Sequence, residues 1–172
     1  EKGVLILHAA GNESTDRDQE DRYPTRKVYN DADEVVDTVG TWLDVGASSQ
    51  FKDRTLSATF TNFGQTTVDL FAPGVNLNST VPGNKYAVFS GTSMACPSAA
   101  GVAALVWSQL PELSALELKA RLMGTVRSRA DLSVRLPSDH TQDVLFGTLS
   151  ITGGISDAYS AISGAITGAS LQ

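Results

Sequence analysis

Phe89-Ser90-Gly91-Thr92-Ser93-Met94-Ala95-Cys96-Pro97 leads an apolar, strand-like end through glycine into a hydroxyl residue, and a run of small and apolar residues follows as far as Gln109. Small side chains nearly all round from Ser93 to Gln109 predict a buried helix, with Pro97 expected in the first turn, where a missing N–H is tolerated. Pro111 blocks any extension. A serine at such a helix start lies at the positive end of the helix dipole. The free backbone N–H groups beside it suit an oxyanion forming on an attacked carbonyl. Serine is also a common N-cap, and from this position alone capping is the commoner role.

Working outward, Ser114-Ala115-Leu116-Glu117 is a capping box that predicts an amphipathic helix ending near Met123, with Gly124 as its cap. Residues 131–142 are polar and read as a loop, and Gly153-Gly154 precedes a final helix over about 156–166. Upstream, strands are expected at 42–47, 56–61, 68–71 and 86–89, divided by the turn signals Pro73-Gly74 and Pro82-Gly83. Val4-Leu5-Ile6-Leu7 is apolar on successive positions, which predicts a strand covered on both faces with neighbours on both sides. Gly3, after Glu1-Lys2, suits the left-handed position just past a helix end. Residues 13–37, acidic and interrupted by Tyr23-Pro24, read as a long surface loop with a short helical piece. The pattern is that of an α/β fold: three layers, with a mainly parallel sheet flanked by helices.

The 172 residues suffice for one domain or part of one, and 41% apolar with 19% charged residues is the composition of a globular chain. Thirteen Lys and Arg against nineteen Asp and Glu give a net charge of -6, with the basic residues scattered, which argues against a nucleic-acid partner. The most apolar stretch, 99–107, is roughly half the ~20 residues of a membrane span. Glu1-Lys2-Gly3-Val4 lacks the order of a signal peptide. Cys96, the single cysteine, has no partner for an internal disulfide, so cysteine usage does not choose a compartment.

Gly91-Thr92-Ser93-Met94-Ala95, with Pro97, Gly101 and Ala103-Ala104-Leu105 after it, resembles the nucleophile segment of subtilisin-like serine proteases. Leu7-His8-Ala9-Ala10-Gly11-Asn12-Glu13 is similar to the segment in which that family places an asparagine after a buried strand. Residues 58–64 and 69–75 resemble the strand and turn before the nucleophile, in matching order. By this resemblance Ser93 is the nucleophile. Asn12 donates its side-chain amide to the oxyanion alongside the Ser93 N–H, and Thr92 gives support. An amide is a neutral donor that keeps its proton, so it faces developing negative charge without competing for the base. Ala9, Ala10 and Gly11 are then expected to wall the pocket for the substrate side chain before the cut, with Glu13 at the rim. The implied partner is a peptide or protein substrate, and the implied setting is bacterial and extracytoplasmic or secreted.

The family's acid and histidine precede the asparagine and serine in chain order, and no matching segment occurs in this sequence. His8 lies four residues before Asn12, about 13 Å along an extended strand, and is read as a core histidine. His140, between Asp139 and Thr141, is read as exposed. The chain is therefore expected to be the C-terminal part (1–172) of one subtilase catalytic domain, inactive without an N-terminal part bearing Asp and His. Cys96 is read as a small buried hydrophobe. No cofactor is required by the resemblance. Calcium is a possible structural ion, with Asp16 to Asp21, Asp31, Asp33, Glu34 and Asp37 as candidate acids, although a solvated charge run is the commoner reading because no Asp-x-Asp-x-Asp-Gly loop occurs. Two other readings stay open: a noncatalytic peptide-binding remnant, and an α/β-hydrolase esterase, against which stands the missing second glycine of Gly-x-Ser-x-Gly.

Overall fold

The computed structural model describes residues 3–164. Its centre is a sheet of β1 (Ile6–Ala9), β4 (Trp42–Ser48), β5 (Leu70–Pro73), β11 (Gly154–Ile155) and β8 (Arg127–Ser128), in the order β1-β4-β5-β11-β8. The first four strands run parallel and β8 runs antiparallel to β11. All seven residues of β4 are buried, as expected of a strand with neighbours on both sides. β1 starts at Ile6 rather than Val4 and, among the described residues, pairs with β4 alone, which leaves Val4 and Ile6 exposed. Gly3 does adopt φ +63°, whereas the expected helix end at Glu1-Lys2 falls outside the described residues.

Helix α1 (Thr92–Gln109) packs across β1, β4 and β5, and α2 (Ala115–Gly124) and α3 (Ala158–Ser163) pack on α1. Leu43, Val45, Ala47, Leu70 and Ala72 from the sheet meet Ala95, Ala99, Ala103 and Val106 of α1 and Leu118 and Leu122 of α2 in one core. The small residues of α1 thus let the helix lie close on the sheet along one stripe. Its other face, with Pro97, Gly101, Ala104 and Leu105, is exposed, so the helix is buried on one side and not all round. Pro97 is the sixth helical residue, in the second turn. The i→i−4 bond it cannot make would have gone to the Ser93 carbonyl.

On the other side of the sheet Ala10, Phe63, Val68 and Phe71 pack with Val134, Phe146 and Leu149. Val134 belongs to a hairpin of β9 (Ser133–Leu136) and β10 (Asp139–Leu145), where the polar composition had suggested a loop. Residues 13–37 likewise hold no helix but include β2 (Lys27–Tyr29), which pairs with β3 (Val35–Thr38). The strand expected at 86–89 pairs, as β7 (Lys85–Phe89), with β6 (Leu77–Val81) around Pro82-Gly83-Asn84. Residues 56–61 form no strand: Leu56 and Thr61 close turns onto Asp53 and Ala58, and only Ser57 bridges to Ser48. The capping box is present, with Ser114 Oγ and Glu117 each taking up the other's backbone N–H. Gly124 is the last helical residue of α2 rather than its cap; the Thr125 hydroxyl closes the end by donating to the Arg121 carbonyl at 2.7 Å. The final helix begins at Ala158 behind an Asp157 cap, and the part expected beyond residue 164 lies outside the described residues.

Candidate active site

Asn12 follows the carboxyl end of β1, and Ser93 is the second residue of α1, which begins after the Gly91 cap. The chain reaches α1 closely because Gly91 N–H donates to the Gly74 carbonyl at 2.8 Å. A Cβ on Gly74 would lie 2.9 Å from the Gly91 oxygen and 2.8 Å from the Ala47 Cβ, so only glycine admits this approach.

Thr92 joins the two segments. It is 1% exposed; its N–H and its hydroxyl both donate to Asn12 Oδ1 at 2.9 Å, and the hydroxyl accepts from Gly11 N–H at 3.2 Å. The carboxamide oxygen of Asn12 is thereby fixed, while its Nδ2 makes no hydrogen bond among the described residues. Ser93 is exposed, and neither its N–H nor its hydroxyl has a partner among the described residues. Two free donors, one from a side chain and one from a helix start, therefore stand on adjoining segments beside an exposed serine hydroxyl. A cavity of about 400 Å³ opens here, lined by Leu77, Asn78, Ser79, Ser93, Met94, Pro97 and Ser98.

Asn62, fully buried, underlies the Asn12 loop. Its Oδ1 accepts from Glu13 N–H and Thr15 N–H, both at 3.0 Å, and its Nδ2 donates to the Ala10 carbonyl at 2.9 Å and to Glu13 Oε2 at 2.7 Å. Arg17, also buried, donates to the same Ala10 carbonyl at 2.8 Å. Gly11 has φ +109°, and a Cβ there would overlap the Asn62 amide and the Glu13 carboxylate. Of the residues expected to wall a pocket, Ala10 has its side chain in the core, whereas Ala9 and Gly11 are part-exposed and Glu13 is exposed.

Neither histidine touches Ser93. His8 is no plain core residue: its Nδ1 lies 2.6 Å from Asp44 Oδ1 and its ring stacks at a tilt on Trp42. Asp44 in turn takes Arg26 at 3.0 Å, and Arg26 also binds Asp69 at 2.6 Å, with Lys119 3.4 Å from Asp69. Burial alone would raise the Asp44 carboxyl, but hydrogen bonds from His8 and Arg26 and the Arg26 charge outweigh it and hold the group below its ordinary value. His140 is exposed on β10, with Nε2 3.4 Å from the Thr59 carbonyl. Cys96 is half-buried, and burial with the Asp44 charge pushes its thiol up, away from a reactive thiolate.

The acids considered for calcium do not converge. Asp18 accepts from Thr66 and Thr67, Asp21 from Lys27, and Glu34 from Asn30. No group of three or more His, Cys, Asp or Glu placed to hold a metal occurs among the described residues.

The family model for the Subtilase family matches residues 1–148. The chain belongs to the subtilase family. This subtilase chain is 41% identical over 123 residues to Alkaline elastase YaB of Bacillus sp. (strain YaB), covering 72% of the chain and 28% of the elastase. It is 38% identical over 127 residues to Subtilisin BL of Lederbergia lenta, covering 74% of the chain and 40% of that protein. A solved cold-adapted subtilisin-like serine proteinase superposes with a TM-score of 0.57 at 27% identity, over 87% of this chain and 44% of that one. The subtilase chain thus spans less than half the length of these relatives. The mainly parallel sheet with flanking helices is the fold shared with the solved relative.

Proposed function

We propose that this chain is the nucleophile-bearing, C-terminal part of the catalytic domain of a serine endopeptidase, acting on peptide or protein substrates in a bacterial, extracytoplasmic setting. Among the described residues no helix is long and apolar enough to cross a membrane. One observation carries the reading. Thr92 donates twice to the oxygen of the Asn12 carboxamide, which leaves Nδ2 free beside the free Ser93 N–H. The two bonds on Oδ1 would by themselves serve to tie down the start of α1; what an oxyanion needs beyond them is a pair of unpaired donors held in advance, and the free Nδ2 beside the free Ser93 N–H supplies that pair.

In this mechanism Ser93 Oγ attacks the scissile carbonyl carbon as its proton passes to a histidine outside the chain, itself oriented by an Asp. The carbonyl oxygen becomes an oxyanion facing Asn12 Nδ2 and Ser93 N–H. The C–N bond then breaks, and the amine leaves with the proton. Water, activated by the same base, releases the acyl group from Ser93. The base is assigned outside the chain because His8 is held by Asp44 and His140 lies by Thr59. The exposed β1 edge and the exposed face of α1 are where an upstream part carrying that base would pack.

Asn12→Ala in the full-length enzyme tests the assignment. The amide meets charge that exists only in the transition state, so kcat falls by about 10²–10³, a magnitude borrowed from a subtilisin, while KM stays nearly constant. A normal kcat with weakened KM would contradict it.

A further inference from the structure

We propose that Asn62 is a positioning residue for the oxyanion donor, acting on catalysis through Asn12. The inference rests on the oxyanion role proposed for Asn12. An oxyanion donor acts by being in place before charge develops, so whatever fixes its backbone controls its worth. Thr92 fixes the far end of Asn12, its carboxamide oxygen. Asn62 fixes the near end. Its side chain holds Ala10 on one flank of Asn12 and Glu13 and Thr15 on the other, and its own N–H donates to the Gly11 carbonyl at 2.9 Å.

Each of the four contacts of the Asn62 carboxamide goes to the loop that carries Asn12, and at 0% exposure no water stands in for any of them. Asparagine is also the one residue of this size that serves both needs. Its oxygen takes the two amide N–H groups, and its nitrogen supplies two donors, one to the Ala10 carbonyl and one to the Glu13 carboxylate. Aspartate fits the same space, keeps the acceptor and loses both donors, and its charge would face Glu13 Oε2, which now lies 2.7 Å from Nδ2. Gly11, whose missing Cβ leaves room for the Asn62 amide, lets the loop close directly on it.

The test is a double-mutant cycle in the full-length enzyme, with Asn62→Asp and Asn12→Ala singly and combined, scored as kcat and KM on a peptide p-nitroanilide beside thermal unfolding midpoints. If Asn62 acts through Asn12, Asn62→Asp lowers kcat about tenfold or more with KM within about threefold. In the Asn12→Ala background the same change then costs less than about twofold, because the donor it positions is gone. Adding Glu13→Gln to Asn62→Asp, which removes the facing charge and supplies a donor, restores part of kcat relative to Glu13→Gln alone. A cost that persists undiminished in the Asn12→Ala background, or one carried by KM, overturns the inference and leaves Asn62 as a structural residue only. If Asn62→Asp unfolds below the assay temperature, the cycle with Asn62→Ser decides by the same criterion. An Asn12→Ala enzyme with normal kcat would instead show that the oxyanion reading itself is wrong.

Discussion

Replacing Thr92 by valine exchanges a hydroxyl for a methyl of similar size at a position 1% exposed, so the start of α1 stays filled while two hydrogen bonds disappear. Gly11 N–H loses the acceptor 3.2 Å away. Asn12 Oδ1 loses the hydroxyl at 2.9 Å but keeps the Thr92 N–H at 2.9 Å. A part-buried donor left without a partner costs about 1–3 kcal/mol, and because some solvent reaches Gly11 the lower half of that range applies to stability. Catalysis feels a different quantity. With one of its two restraints gone, the Asn12 carboxamide turns more freely and Nδ2 is aimed for only part of the time. The full donor is worth about 10²–10³ in kcat, and a loss of about half of that free energy is roughly tenfold or slightly more. Thr92→Val in the full-length enzyme should therefore lower kcat about tenfold, leave KM within about twofold and lower the unfolding midpoint by a few degrees. An unchanged kcat with the midpoint lowered would refute the reasoning, because the carboxamide would then be aimed by something other than the hydroxyl.

Arg26→Met should destabilise the fold by about 3–5 kcal/mol in denaturant titrations, because it leaves the buried Asp44 and Asp69 carboxylates facing each other with less compensation; a loss under about 1 kcal/mol would show that the cluster contributes little. Asp44 has a folded-state value below its ordinary 3.8, so its contribution is full above that value and is lost as pH falls through the lower folded one. The stability gap between the wild type and Asp44→Asn should accordingly close as pH falls below about 4, and a gap that widens further below about pH 4 would reverse the assignment. The chain of 172 residues by itself should hydrolyse no casein above background, and mixing it with the separately produced upstream part should restore cleavage. Cleavage by the chain alone that disappears in Ser93→Ala would reveal a base within these residues.

What the sequence disclosed depended on whether a residue's environment is set by its near neighbours. The capping box at Ser114 and Glu117 is a local pattern and formed where expected, and the helix over 93–109 also formed, although it is buried along one stripe and not all round. β4 was legible because all its residues are buried. The hairpin of β9 and β10 was missed although Leu132, Val134 and Leu136 alternate with polar residues and pack on one core, because the alternation is short and sits in a polar stretch. Residues 56–61 have strand propensity, yet the Thr61 hydroxyl accepts from Ala47 N–H and the segment turns across the end of β4 instead. The edge position of β1 depends on what lies beside it, which an apolar run cannot say.

At the candidate site, Ser93, Thr92, Asn12 and Gly11 were named from two motifs, and the two segments lie together in the fold. Asn62 and the ionic cluster were not singled out, since their partners stand 18 to 52 residues away in the chain, on other elements. A signal did exist. Asp44 within Trp42-Leu43-Asp44-Val45 and Asp69 within Val68-Asp69-Leu70 are single polar residues inside apolar runs, and such residues are buried only with partners, whereas Asn62, beside Thr61, carries no such signal.

The central claim is that Ser93 is an activated nucleophile. It is tested most directly by treating the full-length enzyme with a fluorophosphonate and locating the adduct by peptide mass spectrometry, in the wild type and in Ser93→Ala. The account predicts one stoichiometric adduct, on the peptide containing Gly91-Thr92-Ser93-Met94, and its loss in Ser93→Ala with the unfolding midpoint preserved. An adduct on another residue, or undiminished labelling of Ser93→Ala, would contradict it.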